Sequence, residues 1–116
     1  SFSGMGGFSV GSMTDIEDDT HIIPSEFELL QNYPNPFNPA TTIQYSLAQN
    51  AFVTIKIFNM LGQEVKSLVN TYKNAGKHSI IWNSEDQNNQ KVVSGAYIYR
   101  ITAGSFIQTR KMILLR

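Results

Sequence analysis

The sequence contains no cysteine and few charged residues. Without cysteine it can form no disulfide scaffold, no cysteine metal cluster and no thiol nucleophile. Charged residues make up 16% of the 116, and nine basic residues balance nine acidic ones, so the formal net charge is zero. A chain without excess positive charge lacks the usual electrostatic footprint of nucleic-acid binding. The apolar runs are only a few residues long, so we expect neither a nucleic-acid partner nor a transmembrane segment.

Residues that could carry out chemistry are sparse. His21 lies in an acidic stretch and His78 on a predicted strand, so the two are not expected to meet. The acidic residues 15–19 lack the glycine and the spacing of a calcium loop, and the oxygen-rich residues 84–89 are typical of a hairpin loop. Glycine motifs for phosphate binding and the serine-hydrolase elbow are also absent. We therefore expect no enzymatic activity, no metal site and no cofactor.

The charge is divided unevenly along the chain. Residues 1–23 hold four acidic and no basic side chains, a net charge of −4, whereas residues 24–116 hold nine basic and five acidic ones, a net charge of +4. Residues 1–13 are rich in glycine and serine, which is typical of a flexible linker, although Phe8 and Val10 could belong to the last strand of a preceding domain. We expect residues 1–23 to be a flexible linker and residues 24–116 to be one compact domain.

Short runs of alternating apolar and polar residues predict β-strands from residue 27 onward. Residues 65–69 fit either one helical turn or a strand, and their β-branched side chains favour the strand. The other predicted strands are residues 27–30, 43–47, 53–57, 78–82, 96–103 and 106 to about 115. Turns are predicted at residues 61–64, 74–77 and 104–105, and a polar loop at residues 83–91.

About seven strands with turns every 8–12 residues indicate an all-β fold, an antiparallel β-sandwich of immunoglobulin-like type. Trp82, the only tryptophan, is expected at the centre of the core, and removing its ring should cost about 3–5 kcal/mol. Tyr97 or Tyr99 can present its ring inward and its hydroxyl to backbone. The predicted core consists of Ile43, Tyr45, Val53, Ile55, Ile57, Trp82 and Tyr99.

Two segments have unusual sequences. Three prolines within residues 34–39 forbid a helix and remove backbone donors, which predicts a stiff, extended loop. The last strand carries Arg110 and Lys111 on opposite faces and ends on Arg116 after an apolar run. This strand either closes the sheet or leaves an edge that another protein can bind by strand addition.

Residues 30–43 read L-Q-N-Y-P-N-P-F-N-P-A-T-T-I and strongly resemble the opening signature of the type A C-terminal sorting domains of the type IX (Por) secretion system. Further similarity follows in order, at F-N-M-L-G-Q-E-V (58–65), A-G-K-H-S-I-I-W (75–82), V-V-S-G-A-Y (92–97) and K-M-I-L-L-R (111–116). The resemblance covers about 90 residues. One departure is Asn89, where the family usually has glycine. Asparagine tolerates a positive φ well, so we expect the turn to be kept.

The resemblance implies a non-catalytic secretion and sorting signal. A cargo protein carrying such a domain reaches the periplasm, is recognised by the outer-membrane translocon and is delivered to the cell surface or the medium. A sortase-like peptidase typically removes the domain, and here the cut is expected within residues 10–26. The implied partners are therefore the translocon, the peptidase and an upstream cargo domain, and we expect the domain to be a monomer.

The resemblance also implies which residues are recognised. They lie in the proline-rich loop, in the glycine-containing turns and in the terminal strand. Carried over by position, they are Pro34, Asn35, Pro36, Phe37, Pro39, Gly62, Gly95, Tyr97, Lys111, Leu114 and Arg116. The alternative function is an immunoglobulin-like accessory module that binds carbohydrate or protein within a multidomain surface enzyme, because similar folds link modules in other proteins.

Overall fold

The computed structural model describes residues 23–116, and the predicted linker, His21 and the acidic residues 15–19 lie outside them, as does most of the predicted cleavage region. Within the described residues there are seven β-strands and no helix. In chain order they are β1 (Glu28–Leu29), β2 (Thr41–Leu47), β3 (Ala51–Asn59), β4 (Glu64–Lys73), β5 (Gly76–Trp82), β6 (Gly95–Ala103) and β7 (Phe106–Leu114). No helix in this part of the chain is long and apolar enough to cross a membrane.

The strands form two antiparallel sheets. One has three strands in the order β1-β2-β5, and the other has four in the order β4-β3-β6-β7. The expected all-β sandwich of about seven strands is therefore confirmed. The choice of strand for residues 65–69 is also right, and β4 continues beyond them to Lys73.

Alternation along the strands explains why the sheets pack together. In β3 and β6 every second side chain is buried, so each strand contributes one apolar face to the space between the sheets. The structure buries all seven side chains predicted for the core. The Trp82 indole contacts two further rings, Phe37 with centroids 5.8 Å apart and Tyr97 with centroids 5.5 Å apart in an edge-to-face arrangement.

The two ends of the sandwich are closed differently. At one end, which we call the turn end, short connections follow Leu47, Lys73 and Ala103. At the other, the loop end, lie residues 30–40, 60–63 and 83–94 together with residues 111–116 of the terminal segment. The strand register places them there, because Asn59 pairs with Tyr97 and Gly95 pairs with Leu114.

Two local predictions need correction. Residues 34–39 are not extended: the chain bends at residues 34–36 and 38–39, all three X–Pro peptides are cis, and Tyr33 pairs with Thr42 across the loop. Residues 33–42 therefore form a closed loop, because the backbone of Tyr33 pairs with that of Thr42 at its base. The turn predicted at 74–77 is shorter, because β5 already begins at Gly76, where φ is +138°.

Candidate functional site

The proline-rich loop is fastened to the terminal strand by backbone pairing. The Phe37 N–H donates to the Ile113 carbonyl, and the Leu115 N–H donates to the Phe37 carbonyl, each at 3.0 Å. These two bonds form a parallel bridge between Phe37 and Leu114. The Phe37 ring is buried beside Trp82, so the loop is held both by hydrogen bonds and by the core.

Two side chains of the same region extend this attachment. The Asn35 Oδ1 accepts from the Ile113 N–H at 2.9 Å, and the Gln31 Nε2 donates to the Lys111 carbonyl at 2.8 Å. β7 is an edge strand, but the chain's own loop already partners its outer edge from residue 111 to 115. The edge considered for strand addition at residues 111–116 is therefore occupied in this structure.

The opposite edge of the larger sheet is covered in the same way at the loop end. The Gln87 N–H donates to the Val65 carbonyl at 3.0 Å, and the Ser67 N–H donates to the Gln87 Oε1 at 3.1 Å. Both edges of the four-stranded sheet are thus protected at this end by loops of the same chain, which limits unspecific edge pairing.

Asn32 organises the base of the proline-rich loop. It is buried, its N–H donates to the Tyr99 hydroxyl at 2.7 Å, and its Nδ2 donates to the Thr41 Oγ1 at 2.9 Å. The Tyr99 hydroxyl in turn donates to the Leu30 carbonyl at 2.7 Å. Burial raises the pKa of Tyr99 to about 12, and the Asn32 N–H and Arg110 oppose the rise only in part. Both expected tyrosines do reach backbone, since the Tyr97 hydroxyl donates to the Val93 carbonyl at 2.7 Å.

Ser84 is a junction that sequence reasoning missed. It is fully buried at a φ of +61°, and its Oγ donates to the Pro39 carbonyl. Its own carbonyl accepts from the Val92 N–H at 3.0 Å and from the Arg116 Nη2 at 2.9 Å. A serine at the head of a polar loop carries no sequence signal for such a role, because Pro39 and Arg116 lie 45 and 32 residues away in the sequence.

The guanidinium and the backbone N–H of Arg116 donate hydrogen bonds to residues of the same chain. Besides Ser84, its Nε donates to the Val92 carbonyl, and its backbone N–H donates to the Ser94 Oγ at 2.8 Å. The guanidinium also opposes the rise in the Tyr97 pKa that burial causes. The last residue of the sequence thus ties the terminal segment to residues 84–94.

The residues carried over from the resemblance all lie at or next to the loop end. Phe37, Tyr97 and Leu114 are buried there and serve as anchors. The remaining ones are exposed, and they are Pro34, Asn35, Pro36, Pro39, Gly62, Gly95, Lys111 and Arg116. Gly62 and Gly95 have φ values of +84° and +153°, which favour glycine, and Asn89 keeps the turn at +62°, as expected.

The exposed surface of the loop end combines apolar side chains with a groove that has partly polar walls. Its large exposed apolar side chains include Tyr33, Leu61, Val93 and Leu115. A groove of about 490 Å³ runs between the turn at residues 60–63 and the loop at residues 83–94. Its walls combine apolar Val65, Val92 and Val93 with amide and acidic side chains, namely Asn59, Gln63, Glu64, Asp86, Gln87 and Asn88.

The residues considered for chemistry are used structurally. His78 stacks on Tyr45 with ring centroids 5.3 Å apart, and its Nε2 contacts the Asn74 carbonyl at 2.8 Å. The Asp86 Oδ1 accepts from the N–H groups of Asn88 and Gln90, which shapes the hairpin loop. Among residues 23–116, no group of three or more metal-ligating side chains converges. Trp82 is fully buried and offers no stacking platform for a sugar.

The sequence model of one protein family, described as the secretion system C-terminal sorting domain, matches residues 31–115. No curated protein is similar enough to count as a match.

Solved structures share the fold. PorU from Porphyromonas gingivalis, in its dimeric latent form, superposes with a TM-score of 0.61 at 23% identity, over 88% of this chain and 10% of that one. PorZ from the same organism, a surface component of the type IX secretion system, gives 0.52 at 18% identity, over 78% of this chain and 11% of that one. FlgD from Xanthomonas campestris gives 0.52 at 21% identity, over 78% of this chain and 63% of that one. The chain thus spans about a tenth of the two Porphyromonas proteins.

Proposed function

The chain belongs to the family of type IX secretion C-terminal sorting domains, and from this we propose that the loop end is the surface by which the outer-membrane translocon recognises it. As a member of the family the domain is a sorting signal, which directs export across the outer membrane to the cell surface or the medium. Such domains are typically non-catalytic. We propose that this one has no activity of its own and acts as a folded monomer.

The choice of the loop end as the recognition surface is supported by the convergence there of segments that are distant in sequence. The proline-rich loop, the turn containing Gly62, the segment around Gly95 and the terminal strand are separate in sequence, but all meet at this end. Buried anchors such as Phe37 hold the loop while Tyr33 beside it stays 81% exposed. A partner that binds here would meet exposed apolar and aromatic side chains among polar ones, and aromatic side chains such as Tyr33 are of the kind that supplies interface hot spots.

Export of a reporter tests the sorting role. The whole 116-residue chain is fused behind a signal peptide and an inert fluorescent protein, in a bacterium that has the type IX system. We expect fluorescence at the cell surface or in the medium, and retention of a folded, intact fusion in the periplasm would contradict the proposed function. Removing residues 111–116 should abolish export, but it also removes the buried Met112 and Leu114 and so tests folding at the same time.

A matched pair of tyrosines tests the surface without disturbing the fold. Tyr33 at the loop end is 81% exposed, and Tyr72 on the other half of the molecule is 75% exposed. Tyr33→Ala should reduce export at unchanged thermal stability, whereas Tyr72→Ala should leave export unchanged and lower stability only slightly, through loss of the Phe52 ring contact. Equal export of the two variants would mean that the translocon reads a different surface.

The segment before the domain would be the cleavage region. We propose that residues 1–23 are a linker, that residues 24–116 are the sorting domain, and that a sortase-like peptidase cuts within residues 10–26. The acidic composition of this stretch, with no lysine or arginine, supports an accessible backbone there. Mass spectrometry of the released cargo would identify the bond, and a cut after residue 26 would overturn this assignment.

A further inference from the structure

We propose that Arg116 is a positioning residue for recognition: it fixes residues 84–94 against the terminal strand and does not act as a charge that the translocon contacts. The proposal rests on the proposed function, since it concerns how the loop end is held in a recognisable shape. It assigns a role to a terminal positive charge that would otherwise be taken for an external contact.

The geometry behind the proposal is a set of three hydrogen bonds to one loop. The Arg116 Nη2 reaches the Ser84 carbonyl at 2.9 Å, its Nε reaches the Val92 carbonyl, and its N–H reaches the Ser94 Oγ at 2.8 Å. A guanidinium can bond two carbonyls at once because its donors lie in a fixed plane. The two ends of the loop are thus held by a single side chain.

Ser84 carries this restraint further into the loop end. Its carbonyl is shared between Arg116 and the Val92 N–H, and its Oγ donates to the Pro39 carbonyl of the proline-rich loop. Ser84 itself is fully buried, and its bonds to Arg116 and to Pro39 are partly buried. Arg116 therefore acts on two exposed features at once, the groove wall formed by Val92 and Val93 and the end of the proline-rich loop.

Amide hydrogen exchange tests the positioning directly, without any partner. In the full chain, Arg116→Ala should speed exchange of the Val92 N–H by about tenfold, because its shared acceptor becomes mobile, while the core amides of β3 keep their rates. Leu115→Ala is the matched control, since Leu115 is the adjacent exposed residue and makes no side-chain bond to this loop in the described structure. Unchanged exchange at Val92 in Arg116→Ala would overturn the proposal.

A disulfide between residues 94 and 116 can hold the terminal segment against the end of the same loop without supplying the charge. The 2.8 Å contact between the Arg116 N and the Ser94 Oγ keeps the two Cα atoms at most about 7 Å apart, near the upper limit of the Cα separation in disulfides, and the natural chain has no cysteine that could compete. We expect the S94C/R116C variant, once oxidised, to be exported like the unmodified chain. R116C alone and R116A should be exported several-fold less.

The outcomes distinguish a positioning role for Arg116 from a direct contact between its charge and the translocon. Export of the oxidised double variant supports positioning, whereas its retention, with Val92 protected from exchange, would show that the translocon needs the charge and would overturn the proposal. If the unmodified chain itself is not exported, the proposed function fails, and the exchange measurement still decides whether Arg116 holds the loop.

Discussion

The two ends of the sandwich belong to the same two sheets but are closed by different means. At the turn end the connections are short: backbone conformation sets the two-residue hairpin at Gly104, where φ is +61°, and one side-chain bond, from the Ala75 N–H to the Asn50 Oδ1 at 2.8 Å, joins the other two. At the loop end the connections are long, and side chains bonded to distant backbone hold them, as with Asn32 and Ser84. Local sequence therefore accounts for more of the turn end, whereas contacts between segments far apart in the chain hold most of the loop end.

The difference extends to the aromatic residues. The loop end buries Phe37, Trp82 and Tyr97 in one cluster, whereas the Phe52–Tyr72 pair, with centroids 5.1 Å apart, lies on the surface near the turn end. Disrupting the buried cluster should therefore cost far more stability than disrupting the exposed pair, although both are aromatic contacts of similar geometry.

The largest expected effect is that of Phe37→Ala. It opens a cavity beside Trp82 and should lower the free energy of unfolding by about 3–5 kcal/mol. Chemical denaturation followed by Trp82 fluorescence measures the change. Phe52→Ala is the control, because this ring is 44% exposed, and it should cost about 1 kcal/mol or less. Equal costs would mean that the loop end is no more firmly packed than the rest.

The second largest effect is expected from high pH, which should lower the free energy of unfolding through Tyr99 at the loop end. Its folded pKa of about 12 lies above the usual 10, so the stability it contributes is fully present below pH 10 and is lost as the pH rises toward 12. The loss is on the order of 2–3 kcal/mol. Denaturation midpoints measured between pH 8 and 12 should fall in the unmodified chain.

Tyr99→Phe supplies the control for this titration. The variant is less stable at neutral pH, since the Asn32 N–H loses its acceptor, but the part of the pH dependence due to Tyr99 should disappear. A fall of the same size in Tyr99→Phe would assign the alkaline transition to another group, such as Tyr45, whose pKa burial also raises.

Sequence reasoning succeeds where the cause is local. Strands such as residues 53–57 follow from alternation, and the turns at Gly62 and Asn89 follow from residues that tolerate positive φ. It fails at residues 34–39, because proline stiffness is visible in the sequence while the pairing of Tyr33 with Thr42 is not. Ser84 and Arg116 are missed as structural residues for the same reason, since their partners lie up to 45 residues away.

A smaller effect is expected from Ser84, where the loop end depends on one hydroxyl. Ser84→Ala removes the donor to the Pro39 carbonyl and keeps the strained φ of +61°, so it should cost about 1–3 kcal/mol. Ser84→Gly loses the same bond but relieves the backbone, and it should cost about 1 kcal/mol less. Thermal denaturation of the two variants measures this difference. If the alanine variant were more stable than the glycine variant, backbone strain at residue 84 would not explain the difference in stability.

The smallest effects compare one turn from each end at the same backbone conformation. Asn89 in the loop-end hairpin has a φ of +62°, and Gly104 in the turn-end hairpin has a φ of +61°, with open space around the glycine. Alanine adopts the left-handed region less readily than either asparagine or glycine, so replacing either residue by alanine should cost about 1 kcal/mol by denaturation. Asn89→Gly should cost nothing, because glycine adopts this conformation freely.

The two alanine variants should differ in where the structure loosens. For the Asn89 variant, amide exchange should rise around residues 86–92, because Asp86 and Gln87 connect this turn to its neighbours. For the Gly104 variant, exchange should rise only at the hairpin itself. Confinement of both effects to their own turns would remove the distinction between a locally encoded end and a cooperatively held one.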